Sequence, residues 1–267
     1  MFKELITTIF NNVYYVVFDS VFLIIAILVV FMYRKENPKW ELTGIKDVLR
    51  GTTLGIILST IMSMCGISIQ LTFGMMFLIP LTVLLTSFNP KWGCYAYVIP
   101  FTYAVTAIVE ICGYNLPWLY LPYKEFIFLV GFLHLIEGIL VMLYGSENTF
   151  EVPVYDGRTI ITGHSMKKFW PVPLVIFTNG MTIIPLYAIL GYIDIAKNYS
   201  PQVKSAKMGA IILIYGIFIL ILATLVNVGI LTIGLALIIM PIGHELMFLI
   251  NYMPATQMSR RNPSWRN

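Results

Sequence analysis

His134-Leu135-Ile136-Glu137-Gly138, then Gly145, then Val152-Pro153-Val154-Tyr155-Asp156-Gly157, then Lys167-Lys168-Phe169-Trp170-Pro171-Val172-Pro173: this stretch is the most informative of the chain. It starts in an apolar run long enough to lie in lipid and breaks at Gly145 into the longest polar loop of the chain. It turns apolar again at Pro171. Within the loop, Val152, Val154 and Tyr155 precede Asp156-Gly157, a favoured hairpin turn, and Thr159-Ile160-Ile161-Thr162 follows with strand character. The spacing predicts a small β-hairpin in an extramembrane loop over 145–171. Lys167, Lys168, Phe169, Trp170 and Pro171 close it as a basic-aromatic anchor of the kind that suits the headgroup boundary. Such a segment is either a clip between two helices or a docking surface for a partner.

The 267 residues are 58% hydrophobic and only 11% charged, with a mean hydropathy of +0.84. Soluble domains carry roughly a quarter charged residues. In lipid each spanning backbone must satisfy its own polar groups, and unbroken apolar runs of about 20 residues do so as helices. The expectation is an all-α polytopic membrane protein with about eight transmembrane helices. The apolar runs lie near 14–33, 52–69, 71–88, 94–111, 126–144, 172–195, 208–226 and 229–250. The second and third, and the seventh and eighth, nearly fuse at Gly66–Gln70 and Asn227–Gly229; re-entrant elements there reduce the count to six. Residues 1–250 then form one transmembrane domain and 251–267 a short polar tail. Gly55, Ser59 and Ser63, four apart, make a small-residue stripe suited to close helix packing. Ser200-Pro201 reads as a helix N-cap with proline in the first turn.

The net charge of +4 sits near helix ends, which concerns orientation and anionic headgroups rather than nucleic acid. Five of the seventeen basic residues (Arg34, Lys35, Lys39, Lys46 and Arg50) fall between the first two runs, which marks that segment as cytoplasmic. Ile45, Val48 and Leu49 share a helical face there, the pattern of a short amphipathic helix on the membrane surface. Cys65, Cys94 and Cys112 lie far apart in apolar contexts and read as small buried residues, with no metal or disulfide spacing. Asn198-Tyr199-Ser200 is formally a glycosylation sequon.

Ionisable groups at membrane depth are candidates for function. Glu110 and Asp194 fall near the ends of apolar runs, where a carboxylate reaches water, and Asp19 near the start of the first. His134 and Glu137 are three apart and face one neighbour. His244-Glu245 lacks the second histidine of H-E-x-x-H, because position 248 is Phe248. His134, Glu137, His244 and Glu245 together would make a zinc-like set if the two pairs met; polar helix–helix packing is the plainer reading. Gly163-His164-Ser165 is not a nucleophile elbow, and no phosphate or dinucleotide fingerprint occurs. No catalytic residue and no cofactor is expected.

Beyond these patterns, Leu133-His134-Leu135-Ile136-Glu137-Gly138 with Val152-Pro153-Val154-Tyr155 and Phe169-Trp170-Pro171-Val172-Pro173-Leu174 resembles the membrane module of the Firmicute PDZ-containing membrane proteins, the MinJ-like cell-division topological determinants. Tyr33-Arg34-Lys35 with Glu41 and Gly44, Pro90-Lys91-Trp92-Gly93-Cys94-Tyr95-Ala96-Tyr97 and Gly243-His244-Glu245 are similar to other parts of that module. In the family a PDZ domain follows the last span; here only Asn251 to Asn267 follows. The resemblance implies a scaffold in the bacterial cytoplasmic membrane, with other membrane or peripheral proteins, or a second copy of the chain, as partners. A transporter or channel subunit using the intramembrane His and Glu residues is the alternative, and an intramembrane metalloenzyme a third reading.

Overall fold

The structure, a computed structural model, describes residues 14–67, 69, 72–155, 159–177, 183–197 and 199–252. In chain order its α-helices are α1 (Ser20–Glu36), α2 (Glu41–Met64), α3 (Leu78–Phe88), α4 (Tyr95–Ile111) and α5 (Tyr123–Tyr144), then, after three strands, α6 (Pro201–Asn227) and α7 (Ile233–Tyr252). The strands are β1 (Phe150–Tyr155), β2 (Ile160–Phe177) and β3 (Ile183–Ala196), ordered β1-β2-β3 in one antiparallel sheet. Helix starts follow their caps. The Asp19 carboxylate accepts from the Val21 N–H at 2.9 Å, and Ser200 caps α6 with Pro201 behind it.

This overturns the all-α, eight-span expectation. The run at 172–195 is no helix: its described residues belong to β2 and β3, paired from His164–Ala196 to Phe177–Ile183. Among the described residues three helices are long and apolar enough to cross a membrane: Pro117–Tyr144, Pro201–Asn227 and Ile233–Asn251. The other expected spans are helices that fall short for physical reasons. The 17 residues of α1 and of α4 rise about 26 Å, less than a hydrocarbon core of about 30 Å. The 11 residues of α3 follow a 3₁₀ turn, Phe73–Phe77. The first turns of α2 carry Glu41, Lys46, Asp47 and Arg50. The expected surface helix is also absent as a separate element, being the first half of α2. The hairpin expected over 145–171 is the short end of the larger sheet, with Tyr155 opposite Ile160; its turn residues, Asp156 and Gly157, the tail beyond 252 and Asn198 lie outside the described residues. Cys65 and Cys112 are exposed, not buried.

The sheet is held along a seam between α2 and the edge of β2 that β1 leaves open. Gly51 and Gly55 sit directly against that strand's backbone: a Cβ at Gly51 would lie 2.3 Å from the Pro171 carbonyl oxygen, and one at Gly55 2.4 Å from that of Pro173. The small-residue stripe thus packs on a strand edge. Both residues whose carbonyls face α2 are prolines, which bring no N–H to this edge, and the Phe169 N–H donates to the Tyr33 hydroxyl at 3.0 Å. Proline is compatible with a sheet at such an edge, where it leaves no orphan donor.

A second glycine seam joins α5 to α6. A Cβ at Gly138 would lie 2.8 Å from the Gly209 carbonyl oxygen, and one at Gly209 2.7 Å from that of Gly138. Small residues let two helices approach to backbone contact in this way. His134 lies between Gly131 and Gly138 on α5 and is carried into the bundle core.

Gly55→Leu is expected to destabilise the folded protein by about 1–3 kcal/mol through overpacking against a strand backbone that has no room to move. Ser63→Ala, at the far end of the stripe, stays within about 0.5 kcal/mol. Thermal or denaturant unfolding in detergent distinguishes the two.

Candidate functional site

Two buried polar centres emerge, and the sequence reading foresaw neither in its actual composition. The first clamps the sheet. Lys168 and Asp47 are both 0% exposed, and the Lys168 ammonium reaches Asp47 Oδ2 at 3.4 Å. Tyr33 donates to the same oxygen at 2.7 Å, and Arg50 Nη1 donates to Asp47 Oδ1 at 3.0 Å. Arg50 also grips Glu147, in the segment after α5, with bonds of 2.6 and 2.9 Å, and its guanidinium lies 3.7 Å over the Tyr144 ring. Burial pulls the Lys168 ammonium below its ordinary pKa, and the Asp47 and Glu147 carboxylates oppose that shift without cancelling it. Partial burial raises the Glu147 carboxyl, but the Arg50 bonds and charge outweigh this and hold it below the ordinary glutamate value.

The expected interfacial anchor is corrected by this clamp. Lys168 and Trp170 lie in mid-strand and are fully buried, while Lys167 pairs with Glu36. Asp194, expected to reach water, is likewise drawn in: Lys204 Nζ lies 3.4 Å from its Oδ2 and Asn251 Nδ2 donates to that oxygen at 3.0 Å.

The second centre lies where α4, α5 and α7 meet. Cys94 at the start of α4, His134 on α5 and His244 on α7 each offer a ligand atom, and the three atoms lie within 4.8 Å of one another. The two imidazoles do come together, their ring centroids 5.5 Å apart, and Tyr215 of α6 stands edge-on to both. The acids do not complete the expected His/His/Glu/Glu set. Glu245 turns away to Lys91, 2.7 Å from its Oε1, and to the Tyr97 hydroxyl at 2.9 Å. Glu137 makes no hydrogen bond or ion pair among the described residues, yet acts electrostatically on the Cys94 thiol and the Tyr215 hydroxyl. Cys94 takes its place in the cluster, with Sγ 3.6 Å from His134 Nε2.

Proton placement in this centre follows from donor accounting. His134 Nδ1 lies 2.8 Å from the Val130 carbonyl, which only accepts, so Nδ1 carries the hydrogen. Tyr97 spends its one hydrogen on the Glu245 carboxylate, so its 3.0 Å contact with His244 Nδ1 requires that nitrogen to donate. Both imidazoles are therefore Nδ1–H tautomers, and the unprotonated Nε2 of His134 faces the Cys94 thiol. Tyr97 also lines an apolar groove of about 770 Å³ with Trp92, Phe101 and Pro241.

Comparison with family models, curated proteins and solved structures finds no match.

Two outcomes test the clamp. Asp47→Asn leaves a fully buried ammonium without its counter-charge and is expected to cost about 3–5 kcal/mol, whereas the double exchange Asp47→Leu with Lys168→Met costs less than that single change. The Glu147 carboxyl is depressed in the fold, so its contribution is complete above the unfolded value of 4.5 and is lost as the pH falls through the lower folded value. Melting temperature below pH 4.5 is expected to fall less steeply in Glu147→Gln than in the parent protein.

Proposed function

We propose that the chain is an integral membrane scaffold whose apolar helices hold a rigid β-sheet as a platform for recruiting membrane or peripheral proteins. The observation that supports this is the division of labour between the two sides of β3. Leu190 and Tyr192 point into the core, while Ile189, Ile193 and Ile195 stand exposed at 53%, 63% and 38%. A contiguous apolar face on an edge strand is a surface for a partner. The buried pair Lys168 and Asp47, with the half-buried Asp194, holds the sheet in place beneath it. The resemblance to the MinJ-like membrane modules points in the same direction, toward cell division or envelope organisation at the bacterial cytoplasmic membrane.

The test is cross-linking of the tagged full chain in its native membrane, comparing the parent protein with Ile189→Lys/Ile193→Lys. The expected result is a defined partner, or a second copy of the chain, whose recovery drops about tenfold or more in a variant that inserts and melts normally; roughly 1.4 kcal/mol of lost contact suffices. Equal recovery from both proteins contradicts the platform. So does proton-coupled uptake into proteoliposomes that Glu137→Gln abolishes, because that outcome assigns the membrane acid to transport.

A further inference from the structure

We propose that Cys94, His134 and His244 form a three-ligand site for a divalent, borderline-soft transition metal of the zinc class, with a fourth position left open. The donor set is the first support. One thiol and two imidazoles converge from three helices, and thiolate with imidazole selects zinc-like ions over magnesium or calcium.

Geometry is the second. Zinc bonds of about 2.0–2.3 Å place tetrahedral donors about 3.5 Å apart. The Cys94–His134 separation is already 3.6 Å, and no pair of ligand atoms in the cluster is farther apart than 4.8 Å. Closure therefore asks the donor atoms to move by about 1 Å.

The surrounding hydrogen bonds are the third and most specific support. A metal-binding histidine characteristically donates its second ring N–H to a carbonyl or carboxylate, which fixes the tautomer and aims the other nitrogen. Both histidines have such a partner. His134 donates to the Val130 carbonyl; His244 donates to Tyr97, which passes its own hydrogen to Glu245, itself held by Lys91. At His134 this arrangement leaves the unprotonated Nε2 turned to the Cys94 sulfur, the orientation a ligand pair needs.

Charge is the fourth. A divalent ion on one thiolate and two neutral imidazoles leaves one positive charge, which the Glu137 carboxyl, a turn along α5 from His134 and without an ion pair among the described residues, would balance on losing its proton. Binding releases the Cys94 thiol proton to solvent.

The site is independent of the scaffold reading, and its test has no readout in common with partner capture. Full-length protein is purified in detergent without a polyhistidine tag or chelator, and its metal content is measured before and after incubation with zinc or cobalt(II) salt. The expected result is about one ion per chain and, with cobalt, a thiolate-to-metal charge-transfer band. Cys94→Ser is expected to lose that band, and Tyr97→Phe, which leaves all three ligands in place, to weaken affinity about 10- to 100-fold. Zinc raises the melting temperature of the parent protein and not of Cys94→Ser, so a folded variant is distinguished from an unfolded one. Protein that takes up neither metal overturns the proposal, as does uptake that Cys94→Ser and His134→Gln leave unchanged.

Discussion

The ion pair between Lys168 and Asp47 is the contact on which the arrangement of this chain depends. Both groups are removed from water, so neither tolerates the absence of the other. Their meeting fixes which residue of β2 stands opposite which turn of α2. A slip of one residue along the strand would turn Lys168 to the other face of the sheet and bring an apolar neighbour, or Lys167, to Asp47. The pair thus specifies register, while closeness comes from the glycines. Gly51 and Gly55 allow the strand backbone to reach the helix, Pro171 and Pro173 spare that edge two N–H groups, and Tyr33 satisfies the one at Phe169.

A helix docked against a strand edge also accounts for what the sequence concealed. The segment 172–195 is apolar for the full length of a span, and a fully buried strand cannot be told from a buried helix by periodicity. The contrary signals were present: Pro173 and Pro185 within the run, which helix interiors resist, and Asn179-Gly180 between two apolar halves, a hairpin dipeptide. Read together, they outweigh apolar length. Asp47 went unnoticed because Ile45, Val48 and Leu49 looked like the membrane-facing side of a short surface helix. The buried face is a different one, Gly44, Asp47, Gly51 and Gly55, because its partner is a backbone edge that needs small residues rather than large ones.

The bundle was more legible. The apolar runs behind α5, α6 and α7 are long enough and apolar enough to span, and the Ser200-Pro201 start of α6 follows from local chemistry. The importance of His134 and His244 was visible from their setting in lipid-like sequence, but their companion was not. Cys94 looked like any small apolar-context cysteine, and only the approach of α4 and α5 brings its sulfur to His134. The two polar centres then have separate tasks. One fixes the sheet to α2, and the other joins α4, α5 and α7 where the glycine seam of α5 and α6 has already drawn His134 into the core.

The apolar stretch ending at residue 196 is a strand docked on helices rather than a helix crossing the bilayer. Cysteine-reactivity scanning from Leu186 to Ala196, in a background lacking the exposed Cys65 and Cys112, tests it most directly. A strand gives a period of two, with positions 189, 193 and 195 reactive and positions 190, 192 and 196 protected. Protection repeating every three to four residues, or uniform inaccessibility across the segment, would mark a helix in lipid and contradict the account.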